Sequence, residues 1–297
     1  MRKNIIISLL LALSFLYFPI ISMASPVDTA IQQQSLTNSK EKLDVEKAIT
    51  NGNINPKDFL FRRKNDLGRE ELKNITSPEN LSYGKPYKVV SANKELIENL
   101  MYNKPISMTL KNARYHWEIP VIYRNGGSAI PVASFSIDYI NGRWEVVEIG
   151  GHLSPELSYF SSNQKDLVDY FKQNKIYNAD LFIHFRIPSL GSDFLYISAG
   201  NNEYFVPLIY RPGGNVFGLK NKTLYTRDQF VTTLKPFLET TLEYDESGLA
   251  GGAPIGKKST TPTSTAPLYY KYSLIFIPIA IIAIIAIKKS VSHSNRG

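Results

Sequence analysis

Gly150-Gly151-His152 is the fragment of this sequence that comes nearest to catalytic machinery. It follows the apolar run RWEVVEI and precedes Ser154-Pro155-Glu156, which reads as a helix start. Successive backbone N–H groups in a glycine turn make a concavity that holds an anion. An imidazole beside it supplies a general base. His152 is therefore the one catalytic candidate, and the same fragment also reads as a tight turn into the helix. No G-x-S-x-G elbow accompanies it, and a chain without cysteine has no thiol nucleophile.

A second constellation is a repeated phrase. Residues 119–127 read IPVIYRNGG and residues 206–214 read VPLIYRPGG, with starts 206 − 119 = 87 residues apart. Guanidinium groups bind carboxylate or phosphate in bidentate fashion. Tyr123, Arg124, Tyr210 and Arg211 are thus the candidate binding residues, as a paired site. Convergent strand-end design, with Tyr and Arg snorkelling over apolar surface, explains the phrase as well. So does an ancient duplication.

Other chemistry finds less support. His116, His152 and His184 do not fall in H-E-x-x-H or any zinc-ligand spacing, so no metal is expected. Asp138, Glu145 and Glu148 sit on neighbouring strand-like runs, but a glycosidase pair is defined by its separation in space. They read as exposed strand charges. No Walker loop, dinucleotide fingerprint or EF-hand loop occurs, so no cofactor is expected. The 18 Tyr and 15 Phe against 2 Trp suit protein or glycan contacts, and equally suit ordinary β-meanders.

The elements that must position these residues are mixed. Residues 40–49, 69–75 and 93–101 read as helices, the last capped by Asn93. Residues 85–92 read as a strand. Residues 115–124, 129–140 and 143–150 form a meander rich in β-branched and aromatic residues. Asn141-Gly142 closes its second hairpin, because both turn positions need positive φ. One long helix is predicted over 154–176, with Ser154 as cap and Pro155 in the first turn. Strands at 179–188, 193–200 and 203–212 follow, then a helix over 226–242 capped by Thr226. The expected fold class is α+β: antiparallel meanders with helices to one side, in a single domain over 41–245.

The ends define the compartment. Arg2 and Lys3, the apolar run 5–18, and Ser22 and Ala24 before a cut after residue 24 have the form of a secretory signal peptide over 1–24. Residues 25–40 are polar and read as a flexible lead. Residues 246–268, rich in Gly, Pro, Ser and Thr, read as a stalk. The uncharged run 273–287 is short for a bilayer by itself, but tyrosines before it and Lys288 and Lys289 after it extend it. A transmembrane helix is predicted over 269–288, with a cytoplasmic tail at 289–297. No LPxTG-type sorting sequence precedes it.

The net charge of +8 is largely carried by these ends. Setting aside Arg2, Lys3, Lys288, Lys289 and Arg296 leaves 34 − 5 = 29 basic residues against 26 acidic. No basic stripe interleaved with aromatics remains, so nucleic acid is not an expected partner. The absence of cysteine fits an exported domain large enough to need no disulfide, as is common on Gram-positive surfaces. The expectation is a single-pass, membrane-anchored cell-surface protein whose outer domain binds a protein, a peptide or a wall polymer without catalysis. The alternatives are a surface-anchored hydrolase of wall or extracellular polymer, and a sensor or assembly subunit working through its membrane helix.

Overall fold

The computed structural model describes residues 25–247, apart from Gly68, Gly126, Gly127, His152 and residues 210–214. The expected signal peptide, the membrane segment and all but the start of the stalk lie outside the described residues. Among the described residues no helix is long and apolar enough to cross a membrane.

The described strands are β1 (Ser25–Pro26), β2 (Leu81–Tyr83), β3 (Tyr87–Ser91), β4 (Tyr115–Asn125), β5 (Ser128–Ile140), β6 (Arg143–Ile149), β7 (Asn178–Ala179), β8 (Leu181–Ile187), β9 (Ser192–Ala199), β10 (Asn202–Leu208), β11 (Asn215–Val216), β12 (Leu219–Lys220) and β13 (Tyr225–Thr226). Nine of them form one sheet in the order β13-β10-β9-β8-β3-β4-β5-β6, with β2 also paired to β4. The meanders β4-β5-β6 and β8-β9-β10 are both present, as the sequence predicts. They meet through β3 and β8, which pair in parallel over three residue pairs. Every other pairing in the sheet is antiparallel. The β5–β6 hairpin turns on Asn141 and Gly142, both at positive φ.

The fold is α+β with an antiparallel-rich sheet, but its helices cover both faces rather than one. The reason is legible in β8, which reads LFIHFRI and is buried at every position. A strand buried on both faces needs cover on both. On one face, Ile183 and Phe185 pack with Phe194, Phe205 and the helices Lys94–Met101 and Arg227–Ser247. The same face continues under β4 and β5, where Trp117, Ile119 and Phe135 pack beneath the helices Lys42–Asn51 and Pro56–Arg62. On the opposite face, Phe182, Leu195 and Ile197 pack against the helices Val27–Gln32, Pro155–Ser162 and Gln164–Gln173.

Two local expectations are corrected. The segment 25–40 is not a loose lead. Ser25 and Pro26 pair with β7, and Val27, Ala30 and Ile31 are buried. Those three positions form an i, i+3, i+4 stripe, enough to seat a short helix despite the polar composition around it. The long helix over 154–176 is in fact two. Asn163 leaves helical geometry at φ −93°, ψ 96°, and its side chain accepts from the backbone N–H groups of Lys165 and Asp166. An asparagine that can cap a new helix competes with continuation of the old one. Ser154 and Asn93 cap their helices as expected. Thr226 and Gln229 cap the last helix reciprocally through Thr226 Oγ1 and Gln229 Oε1.

Candidate functional site

The strands that carry the two copies of the repeated phrase lie apart in the sheet. β4 runs antiparallel to β3, β3 parallel to β8, and β8, β9 and β10 alternate in direction. β4 and β10 therefore point in opposite directions, with β9, β8 and β3 between them. Four strand spacings amount to about 19 Å. Tyr123 is buried, and its hydroxyl donates to the Asn74 carbonyl at 3.4 Å. Arg124 is exposed and donates through Nε to Ser82 Oγ at 3.2 Å. Tyr210 and Arg211 lie outside the described residues. The phrase also sits on the first strand of one meander and the last of the other, which duplication of a whole meander does not produce.

The glycine turn has a structural duty. Gly150 and Gly151 have φ of +124° and +76°, and the Gly150 N–H donates to the Ser134 carbonyl at 2.9 Å. That amide is spent and is not free for an anion. A Cβ on Gly151 would stand 2.0 Å from Ser134 Oγ, so the chain comes closer here than any side chain permits. His152 lies outside the described residues.

Ser134 leads to a cluster that sequence reading did not single out. On the face covered by the helix Pro155–Ser162, Glu118 accepts a hydrogen bond from Ser134 Oγ at 2.8 Å. Its other oxygen meets Arg186 Nη2 at 2.9 Å. Arg186 turns its Nε–Nη2 edge to Asp193, Nε to Oδ1 at 2.6 Å and Nη2, shared with Glu118, to Oδ2 at 3.0 Å. His184 Nε2 reaches Asp193 Oδ2 at 2.8 Å, and its ring stacks on Tyr87 with centroids 5.1 Å apart. Tyr87 donates to Ser158 Oγ on the covering helix at 3.1 Å. His116 Nε2 lies 3.6 Å from Glu118 Oε2, too far for a hydrogen bond.

Burial alone would raise both carboxyls. The Arg186 guanidinium overrides it, holding Glu118 down at about 2 and Asp193 well below the usual carboxylate range. Arg186, which burial would discharge, is instead raised by the two carboxylates. Burial, then the charge of Glu118, pushes the Tyr87 phenol well up. His184 beside Asp193 has the pairing of an oriented general base. Yet Glu118 and Asp193 are fully buried and His184 is 2% exposed, so no substrate reaches them. The cluster is a clamp. It ties β4 of one meander to β8 and β9 of the other across the single parallel junction, where the backbone pairs over three residue pairs.

Among the described residues no group of three or more His, Asp or Glu is arranged to hold a metal. An open cleft lies elsewhere. The helix Lys42–Asn51, the turn after it and the β5–β6 hairpin enclose a cleft of about 610 Å³. Trp144 forms an aromatic wall there, with Tyr139 edge-on at 5.5 Å and Tyr115 behind at 6.0 Å. Lys88 lies 3.9 Å over the Tyr115 ring, and the Tyr115 hydroxyl donates to Glu41, so the stack is held from below. Of the residues the sequence offered as exposed strand charges, Glu145 lies in this cleft and Asp138 pairs with Arg114 at 2.6 Å.

Comparison with known proteins finds no matching family, no similar characterised protein and no matching solved structure.

Proposed function

We propose that this chain is a single-pass, membrane-anchored bacterial cell-surface protein whose outer domain is a non-enzymatic binding module for a protein, a peptide or an envelope polymer. The observation that carries the binding reading is the contrast between the two polar sites. The groups with acid–base geometry, His184 and Asp193, are sealed beneath a helix. The open cleft presents an aromatic wall and polar rims instead. Its carboxylates Asp44 and Glu145 are each taken by a basic neighbour, Lys47 and Arg143. Binding sites combine apolar surface with a few placed polar groups in this way.

The anchored topology rests on residues 1–24, 246–268 and 269–288 of the sequence. It places the domain outside and Lys288 and Lys289 inside. Protease added to intact cells should degrade residues 25–247 while a tag on the tail survives; the reverse pattern refutes the topology. A crosslinked pull-down from the cell envelope with the full chain tests binding, and a saturable partner is the expected result. Turnover of envelope polymer by the purified chain would replace the binding reading with the hydrolase one.

A further inference from the structure

We propose that the cleft between the helix Lys42–Asn51 and the β5–β6 hairpin binds a pyranose unit of an uncharged glycan. This rests on the binding-module reading and narrows it to one ligand chemistry. The first argument is the wall. Trp144 and Tyr139 meet at an interplanar angle of 62°, and Tyr139 is 41% exposed. A pyranose ring has faces of polarised C–H groups, which an electron-rich aromatic face attracts. The stack behind Trp144 keeps this surface fixed, so little side-chain freedom is lost on binding.

The second argument is the rim. Asn51 and Asn53, both exposed, flank Gly52 on the wall opposite. A carboxamide offers two donors and an acceptor, which matches neighbouring sugar hydroxyls. A Cβ on Gly52 would stand 2.4 Å from the Ala48 carbonyl, so the rim is drawn tightly against the helix end.

The third argument is charge. The lining holds two acids, Asp44 and Glu145, and two bases, Lys47 and Arg143. Lys47 meets Asp44 at 3.7 Å and Arg143 pairs directly with Glu145. The lining is neutral and internally paired, so it has no surplus cation for a phosphate or carboxylate polymer. The volume falls in the range of about 300–1,000 Å³ typical of small-ligand sites.

The chain itself supplies the reporter. It has 2 Trp, and Trp117 is fully buried, so a soluble quencher acts mainly on Trp144. The full chain, in a detergent without a sugar headgroup, is titrated with the tetramers of N-acetylglucosamine, maltose-type and cellulose-type glucans, and with polyglutamate and polyphosphate. The expected result is saturable protection of Trp144 from acrylamide by a neutral tetramer, unchanged by salt. Tyr139→Ala should weaken that binding about tenfold or more, a loss of about 1.4 kcal/mol. Trp144→Tyr, which keeps a ring in place and is read by calorimetry, should retain part of it. Protection by the polyanions alone, fading with salt, overturns the proposal. So does failure of every neutral tetramer while the chain still captures envelope material, and that outcome leaves the binding-module reading standing. If envelope capture fails as well, both readings fall.

Discussion

Replacing Arg186 with Met tests the clamp most directly. The substitution keeps the volume of the side chain but removes the one guanidinium shared by Glu118 and Asp193. Three hydrogen bonds go with it, at 2.9, 2.6 and 3.0 Å. Both carboxylates are fully buried, so water cannot replace the lost partner. Removing one member of a buried ion pair costs about 3–5 kcal/mol. For a domain of this size about 2–4 °C of melting temperature corresponds to each kcal/mol, so a fall of roughly 6–20 °C is expected at pH 7. The assay is thermal unfolding followed by circular dichroism. Its pH dependence carries the sign. In the parent chain the two carboxyls are depressed, so their stabilisation is present above the unfolded value near about 4 and is lost as pH falls toward the folded values. In the variant, burial is opposed only by the remaining partners, Ser134 at Glu118 and His184 at Asp193, so the folded carboxyls take up protons more readily than they do in the parent. The variant's deficit should therefore shrink from pH 8 to pH 5. A melting temperature within about 2 °C of the parent at pH 7 would refute the claim that this network joins the meanders.

Three other outcomes follow from the same geometry. Gly151→Ala should destabilise by more than Gly142→Ala, measured by urea unfolding. Both have positive φ, but only Gly151 has a neighbour, Ser134 Oγ, where the new methyl must go. Val27→Ala should cost about 1–2 kcal/mol, because two buried methyl groups are lost at a fully buried site; no change would restore the picture of a loose lead. In alkaline titration at 295 nm, Tyr87 should stay protonated past the usual tyrosine range until unfolding releases it. Its folded phenol is raised, so its contribution is full below the unfolded value of about 10 and fades above it.

What the sequence determined by itself was local. Strand runs, the Asn141-Gly142 turn and the caps at Asn93, Ser154 and Thr226 depend on nearest neighbours and on backbone angles, and each stands where expected. The fold class followed from their order. The misreadings arose where one residue outweighed its surroundings. Asn163 ends a helix whose apolar pattern runs on, and Val27, Ala30 and Ile31 seat a segment whose composition is polar. A hint of the clamp was present, since Glu118, His184 and Arg186 interrupt otherwise apolar strands, and charge in a buried strand needs a partner. Which partner was undetermined: Glu118 and Arg186 are 68 residues apart in the chain. Only the parallel pairing of β3 with β8 brings them within hydrogen-bond reach. Tertiary structure likewise set β4 and β10, the strands that carry the two phrases, apart and in opposite directions, because strand direction and order are properties of the assembled sheet. The cleft at Trp144 came from the same source: a helix from residue 42 onward closing over a hairpin about a hundred residues later, a juxtaposition that no local pattern encodes.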